Sequence, residues 1–163
     1  MAEQKNKSNE NRPTKQEGYT WGTPCITVDN AQKAIDAYTK VFGFTVHETM
    51  NDQTGAICWA KLTYKDFGLH IWDPTNKSDS ECCVGKKPKS PKASGIVSPV
   101  SIYLYNDDVE GTVKKAKEQG FTIIQEPEVM FWGDKMCTMT DANGYVWNVA
   151  KNVADFDPSK MPS

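Results

Sequence analysis

The residues best suited to chemistry in this chain are a few histidines, lysines and aromatics that fall on alternate positions. Only two histidines occur, His47 and His70. His70 lies in FGLHIWD, where Leu69 and Ile71 alternate with His70 and Trp72. A period of two puts the imidazole and the indole on one face of a strand and the aliphatics on the other. Upstream, ICWAKLTY repeats the pattern, with Trp59 and Lys61 opposite Cys58, Ala60 and Leu62. An imidazole titrates near neutrality unaided, whereas a lysine needs burial to act as a base at that pH. Lys61 and His70 are therefore the candidates for catalytic residues as an acid–base pair. The other reading is a solvated lysine beside a hydrogen-bonded histidine. Among the five cysteines there is no Cys-x-x-Cys, and an odd count makes a poor disulfide framework. Reduced thiols are expected, with Cys82 and Cys83 adjacent in a polar stretch.

These residues need strands to carry them, and the pattern supplies two similar sets. Residues 21–28 alternate as a half-buried strand. Asp29 and Asn30 can cap the helix that follows. Its apolar face is Ala31, Ala34, Ile35, Tyr38, Val41 and Phe42, and Gly43 stops it. Three strands are expected at 44–50, 55–64 and 67–73. After a long Pro-, Ser- and Lys-containing stretch the order repeats. A strand at 100–105 precedes a helix marked by Val109, Val113 and Ala116, with Asp107 and Asp108 as cap candidates and Gly120 as its end. Strands follow at 121–126, 131–140 and 145–150, the last two joined by the tight turn Asp141-Ala142-Asn143-Gly144. Gly43-Phe44-Thr45-Val46 after the first helix echoes Gly120-Phe121-Thr122-Ile123 after the second. The order and the echo together predict a duplicated βαβββ module.

The expected organisation is a disordered tail at 1–18, one α+β domain at 19–152 and a tail at 153–163. The domain comprises modules 19–73 and 98–152 joined by a flexible loop at 74–97. Two paired βαβββ modules would form a curved, barrel-like mixed sheet around a shared cavity, with the helices outside. The basic run Lys86-Lys87-Pro88-Lys89-Ser90-Pro91-Lys92 reads as a solvated part of that loop.

The stretches TPCITVDNAQKAIDAYTKVFGF, SIYLYNDDVEGTVKKAKEQGF and FWGDKMCTMTDANGYVWNVA resemble the vicinal oxygen chelate superfamily, the glyoxalase/bleomycin-resistance/dioxygenase group. The last stretch is similar to a glyoxalase-like branch in which Phe-Trp-Gly-Asp precedes an Asp-x-x-Gly hairpin. The resemblance runs from about residue 21 to 152. It implies the paired-module fold, and it implies four metal-ligand positions, which fall here on Thr23, His70, Ser101 and Asn148. Metal enzymes of the family need His, Glu or Gln there, because a divalent ion wants imidazole nitrogen or carboxylate oxygen. One imidazole with two hydroxyls and an amide is a poor set, so no metal and no cofactor is expected.

What remains on the inward faces is an aromatic and polar surface. Thr23, Trp59, Lys61, His70, Trp72, Ser101, Tyr103, Tyr105 and Asn148 are the expected ligand contacts, a composition usual for small-molecule pockets. Packed aromatic core is the alternative, since alternation does not say whether the space between is filled. Two functions follow. One is a small-molecule-binding protein of the bleomycin-resistance type. The other is a metal-dependent or metal-free lyase, isomerase or dioxygenase of the same group. The family further implies a homodimer, in which a module is completed by its own chain or by a partner.

Composition narrows the partners. A net charge of −2 over 163 residues argues against a general nucleic-acid binder. No apolar run reaches the ~18 residues of a membrane span. The polar first 16 residues lack the apolar core of a signal peptide, so the expected location is cytoplasmic.

Overall fold

A computed structural model describes residues 13–74 and 88–161. Cys82, Cys83, Lys86 and Lys87 lie outside the described residues, as does most of the expected loop.

Each module begins with a short strand and a capped helix. Strand β1 (Cys25–Thr27) leads into helix α1 (Ala31–Phe42), whose N-cap is Asn30. The Asn30 side chain accepts from the Lys33 N–H at 2.9 Å. The buried face of α1 is Ala31, Ala34, Ile35, Tyr38, Val41 and Phe42, the set its periodicity predicts. Gly43 closes it in the left-handed conformation, φ 82°, which a residue without Cβ adopts at no steric cost. Strands β2 (Thr45–Asn51), β3 (Ile57–Tyr64) and β4 (Phe67–Trp72) complete the first module. A short helix α2 (Pro91–Ser94) follows, held where the Lys92 N–H donates to the Asn143 carbonyl. The second module repeats the first: β5 (Ser101–Tyr105), α3 (Val109–Glu118), β6 (Thr122–Val129), β7 (Asp134–Thr140) and β8 (Val146–Asn152). Asp108 caps α3 by accepting from the Gly111 N–H at 2.9 Å.

The two sheets have one topology, β1-β4-β3-β2 and β5-β8-β7-β6, each with a single parallel pair. This is the expected α+β pairing of βαβββ modules. Among the described residues no ladder joins the sheets, so the curved sheet is not closed into a barrel.

One core serves both modules. The helix-facing residues are Ala60, Leu62, Leu69 and Ile71 in the first sheet and Ile102, Leu104, Cys137, Met139, Trp147 and Val149 in the second. Trp147 stacks on Phe42 at 4.4 Å between ring centroids and lies 5.1 Å from Tyr38, both on α1. Helices α1 and α3 also touch each other. The helices thus back both sheets on the side where the modules meet. Asp141 fastens this junction, accepting from the Tyr38 hydroxyl at 2.5 Å and the Trp147 indole at 3.0 Å. At the outer edge of β1, the Tyr145 hydroxyl accepts from the Thr27 N–H at 3.0 Å and donates to the Thr27 carbonyl at 2.9 Å.

Several segments differ from expectation, among them α2, which lies in the stretch expected as a flexible loop. Gly22 and Pro24 keep residues 21–24 out of the ladder, since proline has no N–H to give. Residues 131–133 form a turn rather than the start of β7, with Gly133 at φ 95°. A Cβ there would stand 2.1 Å from the Ala154 carbonyl oxygen. The chain after β8, expected as a tail, returns to this turn: the N–H groups of Val153 and Ala154 both donate to the Gly133 carbonyl. Among the described residues no helix is long and apolar enough to cross a membrane.

Candidate functional site

The face of each sheet away from the common core carries the residues singled out by alternation. On the first sheet the register arranges them in rows. Trp59 stands level with Trp72 and Thr27. In the next row Glu48, Lys61, His70 and Cys25 are successive neighbours across β2, β3, β4 and β1. Thr23 precedes β1 and lies beside Gly68, one step along from His70.

This face is covered by the chain's own residues 18–20. Lys61 is only 1% exposed, and its ammonium donates to the Gly18 carbonyl at 2.8 Å. The same nitrogen lies 3.3 Å from the centroid of the Tyr19 ring, a cation–π contact. The Tyr19 hydroxyl donates to Glu48 Oε2 at 2.9 Å. His70 is flanked edge-to-face by Trp59 at 4.9 Å and Tyr19 at 6.0 Å. Its Nε2 is buried with no hydrogen-bond partner. Burial and the Lys61 charge hold its pKa below the ordinary imidazole value, with Glu48 opposing them in part. Residues 13–18, expected in a disordered tail, thus include a segment seated on the first sheet.

The second sheet presents a different surface. Ser101, Tyr103 and Tyr105 are exposed along β5, and Asn148 is half-buried level with Tyr103. Both tyrosines lean onto one carboxylate. Asp134 Oδ2 accepts from the Tyr103 hydroxyl at 2.8 Å and the Tyr105 hydroxyl at 2.9 Å, and Oδ1 accepts from Asn152 at 3.1 Å. The Trp132 indole donates to the Tyr103 hydroxyl at 3.3 Å. Burial tends to raise the Asp134 pKa, but these hydrogen bonds outweigh it and leave it below the usual value. Desolvation, then the bond to Asp134, pushes Tyr103 up to about 12. The Phe-Trp-Gly-Asp motif therefore does more than turn the chain, because it delivers the carboxylate that anchors the β5 tyrosines. Alternation could not find Asp134, Glu48 or Tyr19, which act through partners on other strands or before the first strand.

The two surfaces do not meet within one chain. Among the described residues no strand of one sheet packs on a strand of the other. Trp59, Lys61, His70 and Trp72 are gathered in one place; Ser101, Tyr103, Tyr105 and Asn148 are gathered in another.

The four family metal positions do not suit a divalent ion. The Thr23 hydroxyl is hydrogen-bonded to the Thr20 hydroxyl at 2.7 Å. Asn148 Oδ1 accepts from the Thr138 hydroxyl at 2.9 Å. Ser101 is an exposed alcohol, and only His70 brings a strong donor. Among the described residues no three His, Cys, Asp or Glu side chains cluster in a way that would hold a metal. Without a carboxylate in the set, nothing offsets a dication's charge. A cavity of about 610 Å³ lies elsewhere, between α1 and the turn at 141–143. Its Asp141 is fully engaged in holding the modules together, so size alone does not make it the site.

Comparison with known proteins agrees with the fold. The family model described as Glyoxalase/Bleomycin resistance protein/Dioxygenase superfamily matches residues 21–149. The uncharacterized protein Mb0911c of Mycobacterium bovis is 27% identical over 139 residues, covering 85% of this chain and 88% of its own. Two solved structures share the fold. TioX from Micromonospora sp. ML1 has a TM-score of 0.58 at 18% identity, covering 80% of this chain and 97% of its own. The fosfomycin resistance protein FosX of Listeria monocytogenes has a TM-score of 0.59 at 9% identity, covering 82% and 94%. From its duplicated modules and the match across both of them, the chain belongs to the glyoxalase/bleomycin resistance protein/dioxygenase superfamily.

Proposed function

We propose that this protein binds a small organic molecule, without a resident metal, in a cavity completed by a second copy of the chain. One wall is the first-sheet face of one copy, with Thr23, Trp59, Lys61, His70 and Trp72. The other is the second-sheet face of its partner copy, with Ser101, Tyr103, Tyr105 and Asn148. The observation that carries the reading is that these two aromatic faces lie apart in one chain while both core faces are already used. Tyr103 and Tyr105 are 42% and 55% exposed, a large aromatic area to leave in water. Aromatic walls with a few convergent polar groups are what small-molecule sites are made of. The weak donor set favours binding over the family's metal-dependent lyase, isomerase or dioxygenase chemistry. The free thiols of Cys25, Cys58 and Cys137 suit a reducing, cytoplasmic setting.

Two measurements test this. Sedimentation equilibrium at tens of micromolar is expected to show a dimer, and a monomer would overturn the shared cavity. Metal analysis after dialysis against nickel, zinc, manganese and iron is expected to find no stoichiometric metal. Metal that stays bound, and is lost in His70→Ala, would overturn the metal-free reading.

A further inference from the structure

Lys61 is a buried cation whose compensation is incomplete. Buried charges are ordinarily paired with opposite charge. Here the ammonium, 1% exposed, has one neutral carbonyl, that of Gly18, and one π face, that of Tyr19. Among the described residues the ion pairs leave it without a carboxylate. Its register neighbour Glu48 gives Oε2 to the Tyr19 hydroxyl instead. Next to it, the buried Nε2 of His70 has no partner. A cavity of about 140 Å³, lined by Gly18, Tyr19, Thr20, Lys61, Thr63 and Gly68 among others, opens beside the ammonium.

The segment over this cluster is held by few bonds. Among the described residues they are the Gly18 carbonyl on Lys61, the Tyr19 hydroxyl on Glu48, the Thr20 hydroxyl on Thr23 and on the Gly22 carbonyl, and the Tyr19 N–H on Gln16. Gly18 itself is exposed. Its oxygen and the Tyr19 ring together present an acceptor beside a phenol. A molecule with the same parts, but with a charged acceptor, would bind the ammonium more strongly, because a full negative charge adds Coulomb attraction to a hydrogen bond that now ends on a neutral carbonyl.

We propose that Lys61 and His70 form the receptor for the carboxylate of a small phenolic or aromatic acid, and that Gly18 and Tyr19 occupy it as an internal, displaceable stand-in. The carboxylate takes the ammonium from the Gly18 carbonyl and accepts from His70 Nε2, with the ring in its Nε2–H tautomer. The aromatic ring replaces Tyr19 between Lys61 and His70, and a para hydroxyl reaches Glu48. The proposal rests on the small-molecule reading above and names the ligand class of its first-sheet wall.

The test is calorimetric titration of the full-length protein with 4-hydroxyphenylacetate and with its neutral amide, alongside hydrogen exchange of residues 14–20. The acid is expected to bind about tenfold more tightly than the amide. Lys61→Met, close in volume, is expected to lose that preference, and the amide comparison on the unaltered protein stands if the variant does not fold. Tyr19→Ala removes the competitor and is expected to tighten binding by about threefold or more. Saturating acid is expected to speed exchange across 16–20. Equal binding of acid and amide, or acid binding unmoved by Lys61→Met, overturns the carboxylate receptor. Unchanged affinity in Tyr19→Ala with unchanged exchange overturns the displacement. Tyr103→Ala separates the two proposals: binding that needs Lys61 but not Tyr103 keeps this receptor and removes the shared cavity, and the reverse pattern does the opposite.

Discussion

The two sheets share a topology and a register, yet their outer faces solve opposite electrostatic problems. The first buries a cation, Lys61, under a carbonyl and a ring from the segment before β1. The second buries a carboxylate, Asp134, under two tyrosine hydroxyls from its own edge strand and an amide from β8. The carboxylate accepts three hydrogen bonds. The cation has one neutral carbonyl and one aromatic ring. The difference teaches that duplication copied the frame, while each copy acquired its own way of filling the surface the frame exposes. On the second face the buried charge is internally paired; on the first, a buried cation lacks a carboxylate and an imidazole nitrogen lacks a partner among the described residues.

The comparison assumes that both faces hang on one core, and the largest expected effect tests that. Trp147→Ala should cost ~3–5 kcal/mol, because it removes the ring joining α1 to the second sheet. Urea unfolding followed by tryptophan fluorescence and by far-UV circular dichroism should shift together. Separate transitions would mean two independent units rather than two faces of one. Next in size is Asp134→Ala, which strands two hydroxyls and should cost ~1–3 kcal/mol by chemical denaturation. A loss as small as that of an exposed residue would remove the claim that the second face is tied through this carboxylate.

The first face carries a pH dependence. The His70 pKa lies below its ordinary value of 6.5, so the unfolded chain binds more protons between the folded value and 6.5. Its contribution is complete above 6.5 and is lost as the pH falls toward the folded pKa. The urea midpoint of the wild type should therefore drop more between pH 7.5 and 5.5 than that of His70→Gln. An equal drop in both would assign the loss to other groups. The smallest effect is expected at Lys65 and Asp107, an exposed pair at 3.3 Å that links neither face to its chemistry. A double-mutant cycle there should read no coupling beyond its error, and a clear coupling would bring surface charge into the comparison.

Much of this arrangement can be read from the chain. The α1 stripe is the six-residue face its spacing predicts, and the alternation in β3, β4 and β5 separates core residues from outward ones at Lys61, His70 and Tyr103. Helix α3 buries Thr112 besides the expected Val109, Val113 and Ala116, its hydroxyl bonding the Asp108 carbonyl four residues back. Periodicity reports which face a side chain takes, and little about what comes to lie on it. The polar segment before β1 has no apolar stripe, so its docking through one carbonyl and one phenol leaves no pattern to detect. Asp134 reads as a turn residue because its partners are about 30 positions upstream, on β5. The side on which the modules meet is decided by Trp147 reaching α1, a contact that alternation leaves open.

Strand β1 is three residues long and forms the edge of its sheet, with one neighbour, β4. An open edge is a template for pairing with a foreign strand. The Tyr145 hydroxyl fills both the donor and the acceptor of Thr27 on the open side, doing with one oxygen what another strand would do with a peptide unit. That phenol closes the edge at this residue. Removing it in Tyr145→Phe frees one backbone N–H and one carbonyl at a sheet edge, where recruitment of another chain begins.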